Sequence, residues 1–115
     1  MMDKEQDSAL TSREEVQEAL AKKRDLSGIN LSGLDLSGMK FTALAASGLD
    51  LSNANLSGAI FAGANLDGIN LSNAELDNAV FAMSNLGGAN MQGANLHGAK
   101  FQMANLGGAN FSEAD

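Results

Sequence analysis

The sequence predicts an all-β solenoid with four sides, preceded by a short capping α-helix. An apolar residue recurs at every fifth position from Leu26 to Phe111. Among those positions phenylalanine recurs every twenty residues, which indicates coils of four units. A segment with helical spacing of apolar residues stands before the repeat. The chain therefore divides into a disordered N-terminus over residues 1–11, a capping helix over 12–24 and a β-helix over 25–115.

The ends of the capping helix are predicted from its polar residues. Ser12 and Glu15 have the spacing of a capping box. In that arrangement the serine oxygen accepts from the first turn, and the glutamate accepts from the N–H of the cap residue. Lys22 and Lys23 are expected in the last turn, where positive charge is favourable with the helix dipole.

One face of this helix is apolar. Val16, Ala19 and Leu20 lie at the spacing of residues that share a helix face. A helix this short is marginal by itself. The open end of a β-stack exposes both core and unpaired strand edges. We therefore expect the helix to rest Val16 and Leu20 on the first coil.

The five-residue period fits neither a helix nor a straight strand. On a helix, five residues advance by about 140°, so the leucines would point to all sides. On a strand, odd spacing would send alternate leucines to opposite faces. The pattern fits a short strand and a corner, with the central residue and the residue two before it pointing inward. Gly and Asn after each centre suit the corners. Two sides of the expected core consist of Leu36, Phe41, Leu56, Phe61, Leu76, Phe81, Leu96 and Phe101.

The residue just before each centre points outward, and on three sides it is usually Asn or Asp. These asparagines fall into columns twenty residues apart, which allows hydrogen bonds along the rod, as in the Asn ladders of cross-β stacks. We expect the columns to have a structural role. The two columns are Asn65, Asn85 and Asn105, and Asn70, Asn90 and Asn110.

The side that carries the phenylalanines has a different outer surface. Its outward positions are Lys40, Ile60, Val80 and Lys100 instead of Asn or Asp. Exposed apolar patches often mark interfaces, although β-branched residues also suit a strand for local reasons. We favour the interface. The candidate interface residues, including two from the last coil, are Ile60, Ala62, Val80, Ala82, Met83, Met103, Leu106 and Phe111.

The units at residues 54–58 (ANLSG), 64–68 (ANLDG), 94–98 (ANLHG) and 104–108 (ANLGG) carry the pattern A(D/N)LXX. In this pattern the sequence resembles the pentapeptide-repeat protein family over residues 25–115. The resemblance implies a right-handed quadrilateral β-helix. It leaves the function open, because the family serves several roles.

Composition restricts the partners and the location. The net charge of −7 disfavours direct nucleic-acid binding, which needs clustered Lys and Arg. The N-terminus lacks the apolar region of a secretory signal. No stretch approaches the roughly 18 apolar residues of a membrane span. A cytoplasmic protein without membrane contact is the expectation.

The residue types that carry chemistry are sparse. Cysteine is absent and His97 is the single histidine, which leaves no metal site. A narrow rod filled with Leu and Phe is not expected to hold the concave pocket that an active site needs. We therefore expect no enzyme activity, no catalytic residues and no cofactor or metal.

Three functions remain open at this level. The first is a non-catalytic protein-interaction scaffold or adaptor for a protein partner, with a homodimer through the C-terminal coil. The second is modulation of DNA gyrase or topoisomerase, since some members of the family imitate duplex DNA. The third is a type VI secretion accessory or effector-loading adaptor, because residues 14–38 are similar to the start of the pentapeptide tails on such proteins.

Overall fold

A computed structural model describes residues 10–115 of the chain. In this part of the chain one helix, α1 (Arg13–Ala21), precedes a continuous coil of five-residue units. The coil begins at the first apolar centre, Leu26, and continues through the last described unit around Phe111. The helix is shorter than the predicted segment 12–24, because its C-terminal cap is already at Lys22.

Each coil has four sides and twenty residues, as the phenylalanine spacing predicts. The residue before each centre forms a parallel β-bridge with the residue twenty positions further on, as Ile60 does with Val80. The rings of Phe41, Phe61 and Phe81 stack with centroids 4.7 and 5.0 Å apart. We number the sides by their inward centres. Side 1 has Leu26, Ala46, Leu66, Leu86 and Leu106; side 2 has Leu31, Leu51, Leu71, Met91 and Phe111; side 3 has Leu36, Leu56, Leu76 and Leu96; and the Phe side has Phe41, Phe61, Phe81 and Phe101.

The sides are shorter than the strands that the sequence suggested. Within residues 10–115 the coils pair through isolated bridges and no extended strand forms. The reason is the length of the unit, since two of its five residues belong to the corner. Neighbouring coils still share backbone hydrogen bonds, such as Phe61 N–H to the Val80 carbonyl at 2.7 Å.

The same turn forms every corner. The amide that follows the corner donates to the carbonyl of the preceding centre, as Ile29 does to Leu26 at 3.1 Å. The third residue of the turn has a positive φ, for example 71° at Gly28. Positive φ at this position alone is the property of a type II turn, which favours glycine. Other residue types occupy the position at Ala43, Asn53, Asn73, Asn78, Met83, Met103 and Glu113.

Outward Asn and Asp side chains stabilise the corners. Asn85 Oδ1 accepts a hydrogen bond from the amide of Gly87 at 3.0 Å, two residues further on. Asp50 accepts from Ser52 in the same way at 3.0 Å. This is the geometry of an Asx turn, which competes well with water because donor and acceptor are close in sequence. The preference for Asn and Asp at this position therefore has a local cause.

The predicted asparagine ladder is confirmed in one of the two columns. On side 1, Asn85 Nδ2 donates to Asn65 Oδ1 at 3.3 Å, and Asn105 Nδ2 donates to Asn85 Oδ1 at 3.1 Å. In the column on side 2, the hydrogen bonds found in the described part of the chain run to the corner amides instead. Those acceptors are Asn70, Asn90 and Asn110.

The inward side chains form one continuous apolar core. The predicted core residues of the inner coils are at most 1% exposed, namely Leu36, Phe41, Leu56, Phe61, Leu76 and Phe81. Burial of each such side chain contributes roughly 1.5–3 kcal/mol. Leu96 and Phe101 pack on the core but are only partly buried, because no described residue lies twenty positions further on to cover them. Ser84 is also inward, and its hydroxyl donates to the Phe81 carbonyl at 2.7 Å.

The helix α1 packs against the first coils. Val16 and Ala19 are buried in the same apolar cluster as Leu26, and Leu20 is partly buried against it. Leu10 is 7% exposed and joins this cluster. Leu10, which the sequence placed in a disordered segment over residues 1–11, is therefore packed, and residues 1–9 of that segment lie outside the described residues.

At the N-terminus of α1, one of the two hydrogen bonds of the predicted capping box forms. Ser12 Oγ accepts from the Glu15 amide at 3.2 Å, as expected. The Glu15 carboxylate accepts from the amide of Thr11 at 2.6 Å, one residue earlier than the box requires. It also accepts from the Thr11 hydroxyl at 3.1 Å. These two hydrogen bonds lower the pKa of Glu15.

The C-terminal end of α1 is a Schellman motif. Lys22 is the C-cap, and Lys23 follows in the left-handed region at φ 56°. The Lys23 amide donates to the Leu20 carbonyl and the Arg24 amide to the Ala19 carbonyl, both at 3.0 Å. The prediction that Lys22 and Lys23 lie in the last turn is therefore wrong, because the chain leaves the helix after Ala21.

Candidate interaction surface

The outward column of the Phe side is the one column without Asn or Asp. Lys40, Ile60, Val80 and Lys100 follow one another in it through parallel bridges. The two central side chains, Ile60 and Val80, are partly buried by their neighbours in the column, whereas both lysines are exposed. The column is thus apolar in its middle and positively charged at its ends.

The corners that follow this column extend the apolar surface. Ala62 and Ala82 occupy the second position of their turns and are partly buried. Met83 and Met103 occupy the third position of successive turns and are 62% and 85% exposed. The structure thus brings six of the eight candidate interface residues together. We call them the apolar stripe: Ile60, Ala62, Val80, Ala82, Met83 and Met103.

The relief of the apolar stripe differs between coils. On the outer surface Ala82 is flanked by Val80 and Met83, whereas Ala62 is flanked by Ile60 and by Gly63, which has no side chain. The row of Ile60 and Val80 and the row of Met83 and Met103 are therefore offset by one coil. Because successive coils are about 4.8 Å apart, each row follows the rod axis at that spacing. Three coil spacings separate Lys40 from Lys100, which corresponds to about 14 Å along the axis.

The Phe side lacks the local stabilisation that the other sides have. Ile60 and Val80 have no side-chain acceptor, so the corner amides of Ala62 and Ala82 receive no hydrogen bond of the Asx type. A net intramolecular hydrogen bond contributes roughly 0.5–1.5 kcal/mol. An asparagine at either position would restore it, so the fold does not require the apolar residues here.

Met83 and Met103 occupy backbone positions that favour glycine. Both have φ 59°, and Gly63 has φ 66° at the same corner one coil earlier. The left-handed region costs an L-residue roughly 1–2 kcal/mol. β-propensity does not explain a methionine at a corner, because it concerns the pleated strand. The two exposed side chains therefore have no role that we can identify in folding.

Leu106 and Phe111 are not part of the apolar stripe. They are inward centres of the last described coil, Leu106 on side 1 and Phe111 on side 2. Leu106 is partly buried, and the ring of Phe111 is 38% exposed. That ring packs edge-on against Phe101, with centroids 6.3 Å apart. The sequence predicted both as candidate interface residues of the last coil, separate from the stripe; Leu106 packs on the core, whereas Phe111 stays exposed.

The negative charges of the repeat are dispersed. On side 3, Asp35, Glu75 and Asp115 alternate with asparagines in the outward column. Two coil spacings, about 10 Å, therefore separate successive carboxylates. Hydrogen bonds from the Ser37 hydroxyl and amide lower the pKa of Asp35. In the same way Ser27 lowers the pKa of Asp25 on side 1.

An ion pair joins His97 to Asp115. Their Nε2 and Oδ2 atoms are 3.1 Å apart, and both side chains are mostly exposed. The twenty-residue register places Asp115 one coil above Asn95, next to the corner of His97, so the register could have revealed the pair. An exposed pair of this kind contributes little to stability.

One concave site exists that the sequence did not lead us to expect. A crevice of about 430 Å³ lies between the end of α1 and the first coil, and Leu20, Arg24, Lys40 and Phe41 are among its lining residues. Within residues 10–115, no three His, Cys, Asp or Glu side chains are grouped as metal ligands. The same part of the chain contains no helix that is long and apolar enough to cross a membrane.

Comparisons with known proteins agree on the repeat. A family model described as pentapeptide repeats matches in eight copies, over residues 25–58, 40–73, 50–82 and 74–112. Rfr23, a pentapeptide repeat protein from the cyanobacterium Cyanothece 51142, is 30% identical with a TM-score of 0.50, and the match covers 75% of this chain and 63% of Rfr23. A pentapeptide repeat protein from the Arabidopsis thaliana thylakoid lumen is 31% identical with a TM-score of 0.51, covering 84% and 64% of the two chains.

A third similar structure is that of QnrB1, a plasmid-mediated fluoroquinolone resistance protein. It is 25% identical with a TM-score of 0.61, and the match covers 75% of this chain and 48% of QnrB1. The chain thus spans between about half and two thirds of the length of these three proteins. A search of curated protein sequences gave no match.

Proposed function

Because the chain belongs to the pentapeptide-repeat family, we propose that it is a non-catalytic scaffold or adaptor that binds a protein partner through the apolar stripe. Proteins of this family form right-handed quadrilateral β-helices and are generally non-catalytic and structural. The observation that carries the proposal is the pair Met83 and Met103. Both expose an apolar side chain from a corner at φ 59°.

The pattern of local cost supports this proposal. On sides 1, 2 and 3 most outward residues stabilise their own corner, whereas on the Phe side none does. The Phe side lacks the Asx hydrogen bonds of the other sides and has methionines at corners with positive φ in adjacent coils. Residues that break a local rule of folding in this way are expected to serve a function outside the fold. Exposed apolar side chains are enriched where proteins bind one another. Binding of a partner is the use that these side chains fit.

The helix α1 is proposed to cap the rod. Its buried residues Val16 and Ala19 cover the first coil, whose edge would otherwise present unpaired backbone groups. Deleting residues 1–24 is therefore expected to cause aggregation or loss of a cooperative melt, measured by circular dichroism and light scattering. A truncated rod with unchanged melting would show that α1 serves another purpose.

The interaction proposal is tested by affinity capture from the host with quantitative mass spectrometry. The bait is the full chain, and the test variant is Met83→Gly with Met103→Gly. Glycine suits φ 59° at both positions, so this variant keeps the fold while it removes the two exposed methionine side chains of the apolar stripe. We expect at least one protein captured by the wild type to be lost.

A matched control is available on side 2. Asn53 and Asn73 also stand at corners with positive φ, at 60° and 58°. The variant Asn53→Gly with Asn73→Gly therefore makes the same kind of change away from the apolar stripe. It is expected to capture the same proteins as the wild type. Identical capture by all three baits would contradict the proposed function.

A second candidate is modulation of gyrase by imitation of DNA. The structural similarity to a fluoroquinolone resistance protein and the net charge of −7 favour it. The spacing of charge opposes it, since successive carboxylates in the outward column of side 3 are about 10 Å apart. Duplex DNA has one charge per about 1.7 Å. A supercoiling assay decides the matter, and no effect at high micromolar protein would remove this candidate.

A further inference from the structure

Two residues of the apolar stripe, Ile60 and Val80, lie between the two basic side chains of the repeat. Residues 25–115 contain Lys40 and Lys100 as their basic residues, and both stand in the outward column of the Phe side. We propose that the partner presents an amphipathic α-helix with an acidic residue at each end of its apolar face, which binds along the rod axis. This inference rests on the proposed function and adds the chemistry of the partner.

The shape of the stripe fits a helix that is parallel to the rod. The row of Ile60 and Val80 and the row of Met83 and Met103 both follow the rod axis and are offset by one coil. A helix bound in a groove contacts it through residues spaced i, i+3, i+4 and i+7. The about 14 Å between the lysines corresponds to about ten helical residues at 1.5 Å each. One apolar face of two to three turns therefore fills the space between them.

The charges fix the ends of that helix. Lys40 and Lys100 are exposed and stand at the two ends of the outward column that holds Ile60 and Val80. Neither lysine forms an ion pair within the described part of the chain. Carboxylates about ten residues apart on the partner helix would meet both ammonium groups, whereas a basic helix would be repelled at each end. The stripe thus selects acidic termini although the rod as a whole is acidic.

The same two lysines disfavour a second copy of this chain as the occupant. If the two rods are antiparallel, related by a two-fold axis perpendicular to them, Lys40 of one copy lies opposite Lys100 of the other. If the two rods are parallel, related by a two-fold axis that runs in the same direction as the rods, each lysine lies opposite the same lysine of the other copy. Either symmetric dimer through the apolar stripe brings like charges together. A helix of opposite charge has no such conflict.

The experiment uses a library of helix-stabilised peptides on phage, panned against the immobilised full chain. Each peptide has apolar residues at i, i+3, i+4 and i+7 and random residues at both flanks. We expect enriched peptides to carry Asp or Glu at both flanks. Enrichment of neutral or basic flanks, or no enrichment over a surface without the chain, would overturn the proposal.

Two variants then locate the bound peptide. Affinity of a synthesised, enriched peptide is measured by fluorescence anisotropy. Met83→Gly with Met103→Gly is expected to weaken binding at least tenfold without lowering the melting temperature. Lys40→Glu with Lys100→Glu is expected to reverse the preference, so that a peptide with Lys flanks binds better than one with Glu flanks. Unchanged preference after this charge reversal would overturn the proposal.

The outcomes also separate this inference from the proposed function. If capture of a host protein depends on Met83 and Met103 but the enriched peptides show no acidic flanks, the scaffold proposal stands and the helix proposal fails. If neither capture nor peptide binding depends on the two methionines, both fail. If the chain dimerises and the methionine variant is monomeric, a second copy is the occupant and the helix proposal fails.

Discussion

Among the described residues that precede the repeat, Lys23 alone has a positive φ, although it is neither glycine nor asparagine. It stands at φ 56° in the Schellman motif that ends α1. Glycine is the usual residue at that position because it has no Cβ. Both backbone hydrogen bonds of the motif come from the chain itself, so they do not depend on the lysine side chain.

We therefore expect Lys23→Gly to stabilise the protein relative to Lys23→Ala, by about 1 kcal/mol. The alanine variant is the control, since both substitutions remove the same charge from the helix C-terminus. The free energy of unfolding is measured by urea titration. Equal stability of the two variants would contradict the left-handed conformation at this residue.

Carboxylates that accept hydrogen bonds make stability depend on pH. The bonds from Thr11 lower the pKa of Glu15, and those from Ser27 and Ser37 lower the pKa of Asp25 and Asp35. A lowered pKa in the folded state contributes stability at neutral pH, which is lost as the pH falls through the folded value. Stability is therefore expected to decrease below about pH 4.

The serine hydroxyls are the largest cause of the shift at both aspartates. Ser27→Ala with Ser37→Ala should therefore reduce the loss of stability between pH 7 and pH 3, followed by urea midpoints at each pH. Ser32→Ala is the control, because Ser32 donates its amide to the neutral Asn30. A steeper acid dependence in the double variant would contradict this assignment.

At the scale of single residues, the inward positions could be predicted from the sequence, whereas the local hydrogen bonds were missed. The apolar centres follow from spacing alone, because every fifth residue must fill the core. The Asx bonds of Asn85 and Asp50 were missed because the asparagines were interpreted as a ladder. Glu15 was assigned to the wrong amide because the capping box fixes the spacing but not the path of the chain before Ser12.

The elements of this protein are corners and columns, and Asn85 belongs to both. It accepts from the Gly87 amide and exchanges hydrogen bonds with Asn65 and Asn105. Asn90, on side 2, accepts from the Gln92 amide at its own corner. The two asparagines are both partly buried, so they differ mainly in the ladder.

This difference predicts unequal costs of substitution. Asn85→Ala loses the corner bond and the ladder, whereas Asn90→Ala loses the corner bond. With roughly 0.5–1.5 kcal/mol for each net hydrogen bond, Asn85→Ala should be more destabilising by about 1 kcal/mol. Urea unfolding of both variants measures it. Equal costs would show that the ladder contributes nothing to stability.

Among the elements, the sequence predicted α1 and the four-sided coil, and it misjudged where the helix ends. The helix ends through the Schellman hydrogen bonds of the Lys23 and Arg24 amides. This end could not be predicted from residue types, because Lys23 occupies the position where glycine usually marks such a motif. The crevice beside Phe41 could not be predicted from the sequence either, since it depends on how α1 lies on the first coil. The members of the apolar stripe followed from the twenty-residue register.

Across the whole molecule, burial of the stacked phenylalanines decreases from the middle of the rod to the last described coil. Phe61 is fully buried and lies between Phe41 and Phe81 at 4.7 and 5.0 Å. Phe101 is partly buried, with Phe81 at 5.2 Å and Phe111 edge-on. In a quasi-one-dimensional fold, each coil depends on its immediate neighbours.

Phe61→Ala is therefore expected to cost about 3–5 kcal/mol, which is a large part of the stability of a small domain. Phe101→Ala should cost clearly less, because its site is open on one side and leaves a smaller cavity. Thermal and urea unfolding compare the two. A greater cost at Phe101 would show that the last described coil, rather than the middle, determines the stability of the rod.

The twenty-residue bridge register has a consequence for insertions and deletions. Removing residues 66–85 would join Asn65 to Leu86, which occupies the same place on side 1, and all four surfaces would stay in phase. Removing residues 66–70 would still leave an apolar centre at every inward place, but it would rotate the rest of the rod by a quarter turn and move Val80 and Met83 from the Phe side to side 3. The interior thus tolerates changes in multiples of five residues, whereas the outer pattern survives only those in multiples of twenty. Loss or duplication of a single repeat unit would therefore keep a folded rod but divide the apolar stripe between two sides.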